Sequence, residues 1–417
     1  MPITQQELGR RIRAAREASR MTQDDVSKRL AVSRSTVVQI EAGNRSVSSL
    51  ELGKLAYLFG RDLRELIAES FNEEDAFAVL FRAEPDMVAA SEVMEKLRDC
   101  MALARELTNI ERLVGIDRDI GAAAVYPLPL PLNRYEAIIQ GQRLADEERR
   151  RLGLGNAPLP DLTELLEAQG VRTGLVDLPD DVSGLTLVDR AVGIFVVANR
   201  VHHHIRRRFS FAHEYAHVVV DRARIGLVSR ASQRDDLVEV RANAFAASFL
   251  MPEDSVRRFA AGLGKGRPSR AYTQVFDEAG SLDVEGRAAP GSQAVQLYDV
   301  IQLAHHFAVS RLAAIYRLRN LRLVNEAEAD RLKTLDEQGK GAQLAELLGI
   351  PGPDHAALRN EFGHRLLGLA LEAYRREEIS RVKLNELGAM VELFGPDIDR
   401  LVADMGLGTD AYEDSAR

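Results

Sequence analysis

Apolar residues in the first part of the chain recur at helical spacing, in short runs separated by polar caps. Leu8, Ile12 and Ala15 lie three and four apart with arginines between them, which predicts an amphipathic helix over 7–19. Thr22 stands as an N-cap before "QDDVSKRL", whose acidic residues suit a first turn, and this second helix stops near Leu30. After "AVS", Ser33 caps a third helix, "RSTVVQIEAG", that Gly43 ends. A fourth helix over about Ser48 to Phe59 and a short fifth over about Asp62 to Ala68 complete a five-helix head, residues 1–70.

From 72 to 114 the helical spacing continues through Val79, Leu80, Met87, Val88, Met94, Leu97, Met101, Leu107 and Ile110, predicting one or two further helices. Dimer formation, packing on the head and a plain spacer are all open uses for them. Pro127, Pro129 and Pro131 then suggest a stiff extended linker, so 71–132 is read as a connector with a domain boundary at its end. Helices are predicted over Tyr135 to Leu152 and Asp161 to Gln169. They are followed by three β-like runs, "GVRTGLVDL", "SGLTLVD" and "VGIFVVANR". Helical periodicity returns near Arg207 and again in "EVRANAFAASFLMP". The expected fold is mainly α of the α+β kind: the head, a helical body at 133–260 with one small sheet, a helical region at 261–335, and a helical C-terminal region at 336–417.

Composition keeps this within ordinary globular limits: 417 residues, 46% hydrophobic and 28% charged, call for several domains. No apolar run approaches the roughly 20 residues that span a bilayer, so no membrane is expected. The polar N-terminus gives no sign of export. Cys100 is the only cysteine, which excludes an internal disulfide or a thiolate zinc cluster and fits a reducing cytoplasm. Charge does change the picture. Residues 1–70 hold 12 Lys/Arg and 9 Asp/Glu, a balance of +3 in a chain of net −8, which leaves −11 for the rest. A basic end on an acidic body hints at a polyanionic partner.

Two short helices joined by a tight turn form a helix-turn-helix, whose second helix can enter a major groove. With Val37 and Ile40 inward, Arg34, Ser35, Thr36 and Gln39 project outward; Arg can read guanine and Gln adenine. Gln23, Asn44 and Arg45 are placed for phosphates. A protein-interaction unit with a charged face is the competing use of five such helices. The stretch "TQDDVSKRLAVSRSTVVQIEAG…SLELGKLAYLFG" resembles the phage-repressor-like (XRE) family over residues 5–68. That resemblance implies binding to operators in double-stranded DNA, usually as a homodimer.

The segment "RRFSFAHEYAHVVVD" carries the chemistry of the body. His213 and His217 are four apart, so both imidazoles lie on one helix face and can share a tetrahedral ion. Glu214 is one step round, able to hold a water beside that ion without ligating it. Downstream, Glu239, Ala242, Ala246 and Leu250 form the inward stripe of a helix, where a carboxylate needs a cation. Ala242 and Ala246 are expected to let this helix approach the His-bearing one. Asn243 can accept from a ligating imidazole and fix its tautomer. These two segments, with "LPDLTELLEAQGVRTGLVDLPDDVSGLTLVDRAVGIFVVANR", resemble the ImmA/IrrE zinc metallopeptidases from about Arg134 to Pro252, and more weakly to about Leu332. The resemblance implies zinc, with manganese as another possible ion, His213, His217 and Glu239 as ligands, and Glu214 as catalytic base. It also implies a protein substrate, typically a repressor cleaved under stress. Tyr215-Ala216 departs from the family's usual aliphatic residue and glycine, and is expected to alter the substrate-facing surface.

His202 to His204 are consecutive, point apart and read as a polar loop beside the site, one of them a candidate oxyanion donor. His305 and His306 read as ordinary helix residues. "RLAVSR" at 29–34 recurs as "HFAVSR" at 306–311, either a second helix-turn-helix or, with few polar groups following, a structural or docking element. Three functions remain open: a DNA-binding regulator with a working peptidase, a ligand-responsive regulator whose body is a non-proteolytic sensor, and an antitoxin-like autorepressor that needs only the head.

Overall fold

A computed structural model describes residues 3–69, 71, 91–118, 122–159, 161–189, 192–222, 227–233, 235–265, 271–277, 280–286, 292–350 and 361–406. The chain is mainly helical with a small sheet in its middle. Among the described residues no helix is long and apolar enough to cross a membrane. The helical expectation resting on Val79, Leu80, Met87 and Val88 lies outside them.

The head consists of α1 (Gln5–Ala18), α2 (Gln23–Leu30), α3 (Arg34–Glu41), α4 (Ser49–Phe59) and α5 (Leu63–Ile67). Local capping explains each start. Thr22 and Asp25 form a reciprocal box at α2, Ser48 and Glu51 another at α4, and Ser33 accepts from the Thr36 N–H at α3. Gly43 takes φ +71 after α3, and a Cβ there would come 2.6 Å from Gln6 Cα, so both conformation and space require glycine. Ile12, Val26, Val37, Ile40, Leu55 and Phe59 close the core of the head.

The long helix α6 (Ser91–Leu113) follows. It is neither a spacer nor packed on the head alone. Met94, Leu97, Met101 and Ala104 join Leu185, Leu187, Phe195 and Val197 in one core against the central sheet. Leu103, Leu107 and Ile110 join Leu366, Leu384, Leu387 and Ile398 of the C-terminal helices α16 (Glu361–Arg375), α17 (Arg381–Met390) and α18 (Gly395–Asp404). Arg105 reaches the Gly60 carbonyl at 2.8 Å, and Arg64 reaches Asn109 at 2.9 Å, tying the head to the same helix. The proline segment likewise does not separate two units. Leu128 packs on the body core, and the Tyr126 N–H donates to the Val219 carbonyl at 2.8 Å. Alternating prolines make the backbone extended, and here Tyr126 and Leu128 are half-buried against the body while Val125 and Leu130 are exposed.

The sheet is ordered β1-β3-β2-β4, with β1 (Arg172–Val176) parallel to β3 (Gly193–Asn199). β2 (Val182–Asp189) runs antiparallel to both β3 and β4 (Leu227–Arg230). The strand period of two splits β3 cleanly: Phe195 and Val197 face α6, while Ile194, Val196 and Ala198 face the helices on the other side. On that second side lie α7 (Arg134–Arg151), α8 (Leu162–Ala168), α9 (His204–Val220) and α10 (Leu237–Leu250), followed by α11 (Glu253–Gly262). Residues 271–286 correct the expectation of an all-helical region at 261–335: β5 (Ala271–Asp277) and β6 (Gly280–Gly286) form a two-stranded hairpin. Its run "AYTQVFD" is rich in the β-branched and aromatic residues that favour strands. Helices α12 (Leu297–Phe307), α13 (Arg311–Asn320), α14 (Glu326–Glu337) and α15 (Lys340–Leu347) then resume.

Ala242 and Ala246 are buried, but a backbone-to-backbone approach of α10 is made to α7, at Gly141. A Cβ on Gly141 would stand 2.4 Å from the Arg241 carbonyl oxygen and 2.8 Å from the Phe245 nitrogen. Backbone atoms cannot swing aside, so Gly141→Ala is expected to cost about 1–3 kcal/mol, the usual range for overpacking. Denaturant melting checks this, and an unchanged midpoint would show that α7 and α10 are not in contact.

Candidate metal centre and nucleic-acid interface

Helix α9 starts at His204, with His203 as its cap, and is buried on every side from Ser210 to Val219. A helix sunk this deeply must satisfy each polar side chain it carries. Three of them do so around one point. His213 Nε2 lies 3.2 Å from His217 Nε2 and 3.1 Å from Glu239 Oε2, and His217 Nε2 lies 3.4 Å from Glu239 Oε1. Ligand atoms on a tetrahedron with metal bonds of about 2.0–2.1 Å sit about 3.4 Å apart, so these separations suit a single small divalent ion. Exposures of 4%, 1% and 7% for His213, His217 and Glu239 leave little water to pay for unpaired charge.

The ring nitrogens facing away from that point are also held. His213 Nδ1 is 3.1 Å from Asn243 Oδ1, and His217 Nδ1 is 3.0 Å from Asp221 Oδ2. Two acceptors on the Nδ1 side keep the proton there and turn both Nε2 lone pairs toward the ion position. Asp221 is itself clamped by Arg241 Nη2 at 2.6 Å. Burial alone would lower the His217 pKa, but Asp221 and Glu239 outweigh it and raise it to about 10. Burial likewise pushes the Glu239 carboxyl up, and the two imidazoles overcome this and hold it well below the usual carboxylate range. Both shifts favour positive charge at the cluster, as expected of a donor set shaped for a cation.

Glu214 is completely buried. Its Oε2 accepts from the Thr186 hydroxyl at 2.7 Å, while Oε1 has no partner among the described residues. A Cβ at Gly184 would come 3.0 Å from that oxygen, so β2 leaves it only just enough room. Ser229 on β4 brings its Oγ to 3.1 Å from His213 Nε2.

Of the residues singled out in the sequence, His213, His217, Glu239 and Asn243 are brought together, with Glu214 on the same helix. Asp221, Arg241, Thr186 and Ser229 were not anticipated. Asp221 had a readable signal, four residues beyond His217; Thr186 and Ser229 come from strands whose pairing no local pattern announces. His202 bonds to the Asp180 carbonyl at 3.1 Å and His203 caps α9, while His204 precedes His213 by nine residues, about 13 Å along a helix axis. One expectation is corrected. Tyr215 does not face a substrate: it is fully buried, packed against Phe245 and Phe249, and its hydroxyl donates to Glu148. Glu148 also takes Tyr126 at 2.8 Å and Arg151 at 2.7 Å, so the departure at Tyr215 is absorbed by the core.

In the head, Arg34, Ser35 and Gln39 are exposed and Thr36 is half-buried, while Val37 and Ile40 are buried. Asn44 Nδ2 donates to Gln39 Oε1 at 3.0 Å and so sets its orientation. Gln23 donates to Glu41 at 2.9 Å, joining the buried Arg16–Glu41 ion pair, and Arg45 bonds to Glu51 at 2.9 Å. These last two residues are partly engaged within the head.

Residues 7–69 match a family model described as a helix-turn-helix domain, and residues 166–275 match one described as an IrrE N-terminal-like domain, a peptidase family whose members are typically metal-dependent. No curated protein gives a significant match. The second span contains every residue of the His-His-Glu cluster. The chain thus carries a helix-turn-helix domain at 7–69 and, further along, an IrrE/ImmA-like peptidase domain that includes 166–275.

Proposed function

We propose that the protein is a cytoplasmic transcriptional regulator that binds an operator as a homodimer, and whose body is a zinc-dependent peptidase cleaving a protein, such as a repressor, in a stress or signal response. The observation that carries the peptidase half is the convergence of His213, His217 and Glu239 at tetrahedral spacing, with Glu214 on the same helix holding a buried carboxylate oxygen, Oε1, that has no partner among the described residues. The donors, two imidazoles and one carboxylate, fit zinc, and manganese is the alternative. When bound, such an ion supplies Lewis acidity toward a water and a peptide carbonyl. The residues do the rest. Asn243 and Asp221 fix the imidazoles, Thr186 holds one oxygen of Glu214, and the free Oε1 takes a proton from the attacking water and returns it to the departing amine.

A second reading has its own support. Because Glu214 has no exposed surface and Ser229 stands against His213, the body also suits a non-proteolytic sensor that reports on a bound ligand, or an autorepressor that uses the head alone.

The DNA-binding half has a direct test. Arg34 and Gln39 project from α3 and make no contribution to the core, so replacing both with alanine should leave the fold intact and erase sequence preference. Each good bidentate base contact carries about 1–3 kcal/mol of discrimination. Footprints of the double variant that match those of the wild type would remove α3 as the reading helix. Residual binding should weaken steeply with salt, as phosphate contacts do.

A further inference from the structure

Helices α12 and α13 repeat the turn of the head. Ala308 is left-handed at φ 50 where Ala31 is at φ 56, and Ser310 caps α13 as Ser33 caps α3. Their outward faces differ. On α3 that face is polar and open, whereas on α13 Leu312, Ala313 and Tyr316 line a cavity of about 760 Å³ within the body. α7, the start of α9 and α10 form the other walls, with Ile138, Phe209, Ala244 and Ala247 giving apolar surface. The volume falls within the range of small-molecule sites.

The charge of this cavity is opposite to that of the chain. Arg134, Arg206, Arg317 and Arg319 line it against one acid, Asp235, in a protein of formal charge −8. Arg134 is paired with Asp235 at 3.1 Å and Arg319 reaches Glu326 at 3.7 Å, while Arg206 has no ion-pair partner among the described residues. Arg317 is the telling residue. It is 3% exposed, and its Nε donates to the Met251 carbonyl at 2.9 Å. Among the described residues no carboxylate lies within ion-pair distance of it; Glu253 and Asp146 act only from further away. Burial lowers its pKa to about 10, so it stays charged at neutral pH. A buried guanidinium without a counter-ion is costly, and an anion from solution would relieve it.

We propose that this cavity binds a small amphipathic organic anion, a carboxylate or phosphate ester on an apolar body, with Arg317 at the anionic head and the α10 and α13 side chains along the body. Asn243 lines the same cavity and accepts from His213 Nδ1 at 3.1 Å, so the occupant touches the residue that orients a metal-cluster imidazole. It is thereby placed to regulate the centre. That regulatory consequence rests on the metal reading above; the binding does not.

Titration calorimetry of the full chain with decanoate, decyl phosphate and decanol tests the site. Both anions should bind saturably, and decanol at least about tenfold more weakly, a factor equal to about 1.4 kcal/mol. A preference between decanoate and decyl phosphate would tell a carboxylate source from a phosphate one. Arg317→Gln should weaken both anions about tenfold or more and leave decanol unchanged. Because Arg317 also holds Met251, the exposed Arg206→Ala should weaken the anions too, without altering the melting curve. Ala313→Phe, which projects a ring into the cavity and keeps every arginine, should weaken binding of all three. Equal binding of decanol and decanoate, or undiminished binding by Ala313→Phe, would overturn the proposal. So would displacement of neither anion by the other, or tighter binding at this site of an acidic leucine-rich peptide, which would make it a substrate subsite. Decanoate should still bind to His217→Ala; loss there would sink the proposal, whereas binding there with no ion present in the wild type would fail the metal reading alone.

Discussion

Replacing His217 by alanine is expected to strip the body of its ion while the chain stays folded and the head still binds DNA. The wild type should carry about one divalent ion per chain, held by three protein ligands from two helices. Losing one of three removes a bond that no neighbour replaces. The fold should tolerate the change because each carboxylate left behind keeps another partner. Asp221 retains Arg241 at 2.6 Å, and Glu239 retains His213 at 3.1 Å. A graded control follows from the outer contacts. Asp221→Asn keeps all three ligands and weakens only the orientation of His217, so it should cost about 10- to 100-fold in ion affinity, as changes to such supporting residues do. Ion uptake by the wild type should also weaken as pH falls, since the ligands bind metal only when deprotonated. Elemental analysis across the three proteins reads all of this. Full ion content in His217→Ala would show that the cluster is not the site.

The head was legible because its instructions are local. Thr22, Ser33, Ser48 and Gly43 each act on backbone within a few residues of themselves, and the structure places its helix ends where those residues put them. His213 and His217 were legible for the same reason, since a separation of four on a helix fixes a shared direction. Glu239, 22 residues after His217, could be found only because an acid stood on an otherwise apolar stripe. What failed was assignment of partners. The apolar spacing of α6 announced a buried stripe but not that the sheet and the C-terminal helices would cover it. Tyr215 was misread because α9 is buried all round, and a helix without a polar face offers no way to tell its substrate side from its core side. β4 is four residues long and takes its place from pairing with β2, opposite Gly184 and Thr186. Nothing within such a short run foretells that it brings Ser229 to a metal cluster.

The change that separates a peptidase from a sensor is Glu214→Gln. Glu214 lies outside the three-ligand set, and glutamine preserves its shape and can still accept from the Thr186 hydroxyl, now at 2.7 Å. Ion content, folding and DNA binding should therefore match the wild type. What glutamine cannot do is take a proton at the position of Oε1. Loss of a general base costs about 100- to 10,000-fold in rate, and more where the same group must also protonate the leaving amine. If the body cleaves a protein, the ion-loaded wild type should produce discrete fragments from a protein encoded beside its own gene, and the glutamine variant should not. In cells the variant should likewise fail to relieve repression. Identical responses of the two proteins to the inducing signal would mean that proton transfer at Glu214 is not how the body acts on the head. The ion would then serve to brace α9 against α10, and a ligand held near Asn243 would become the better account of how a signal enters the body.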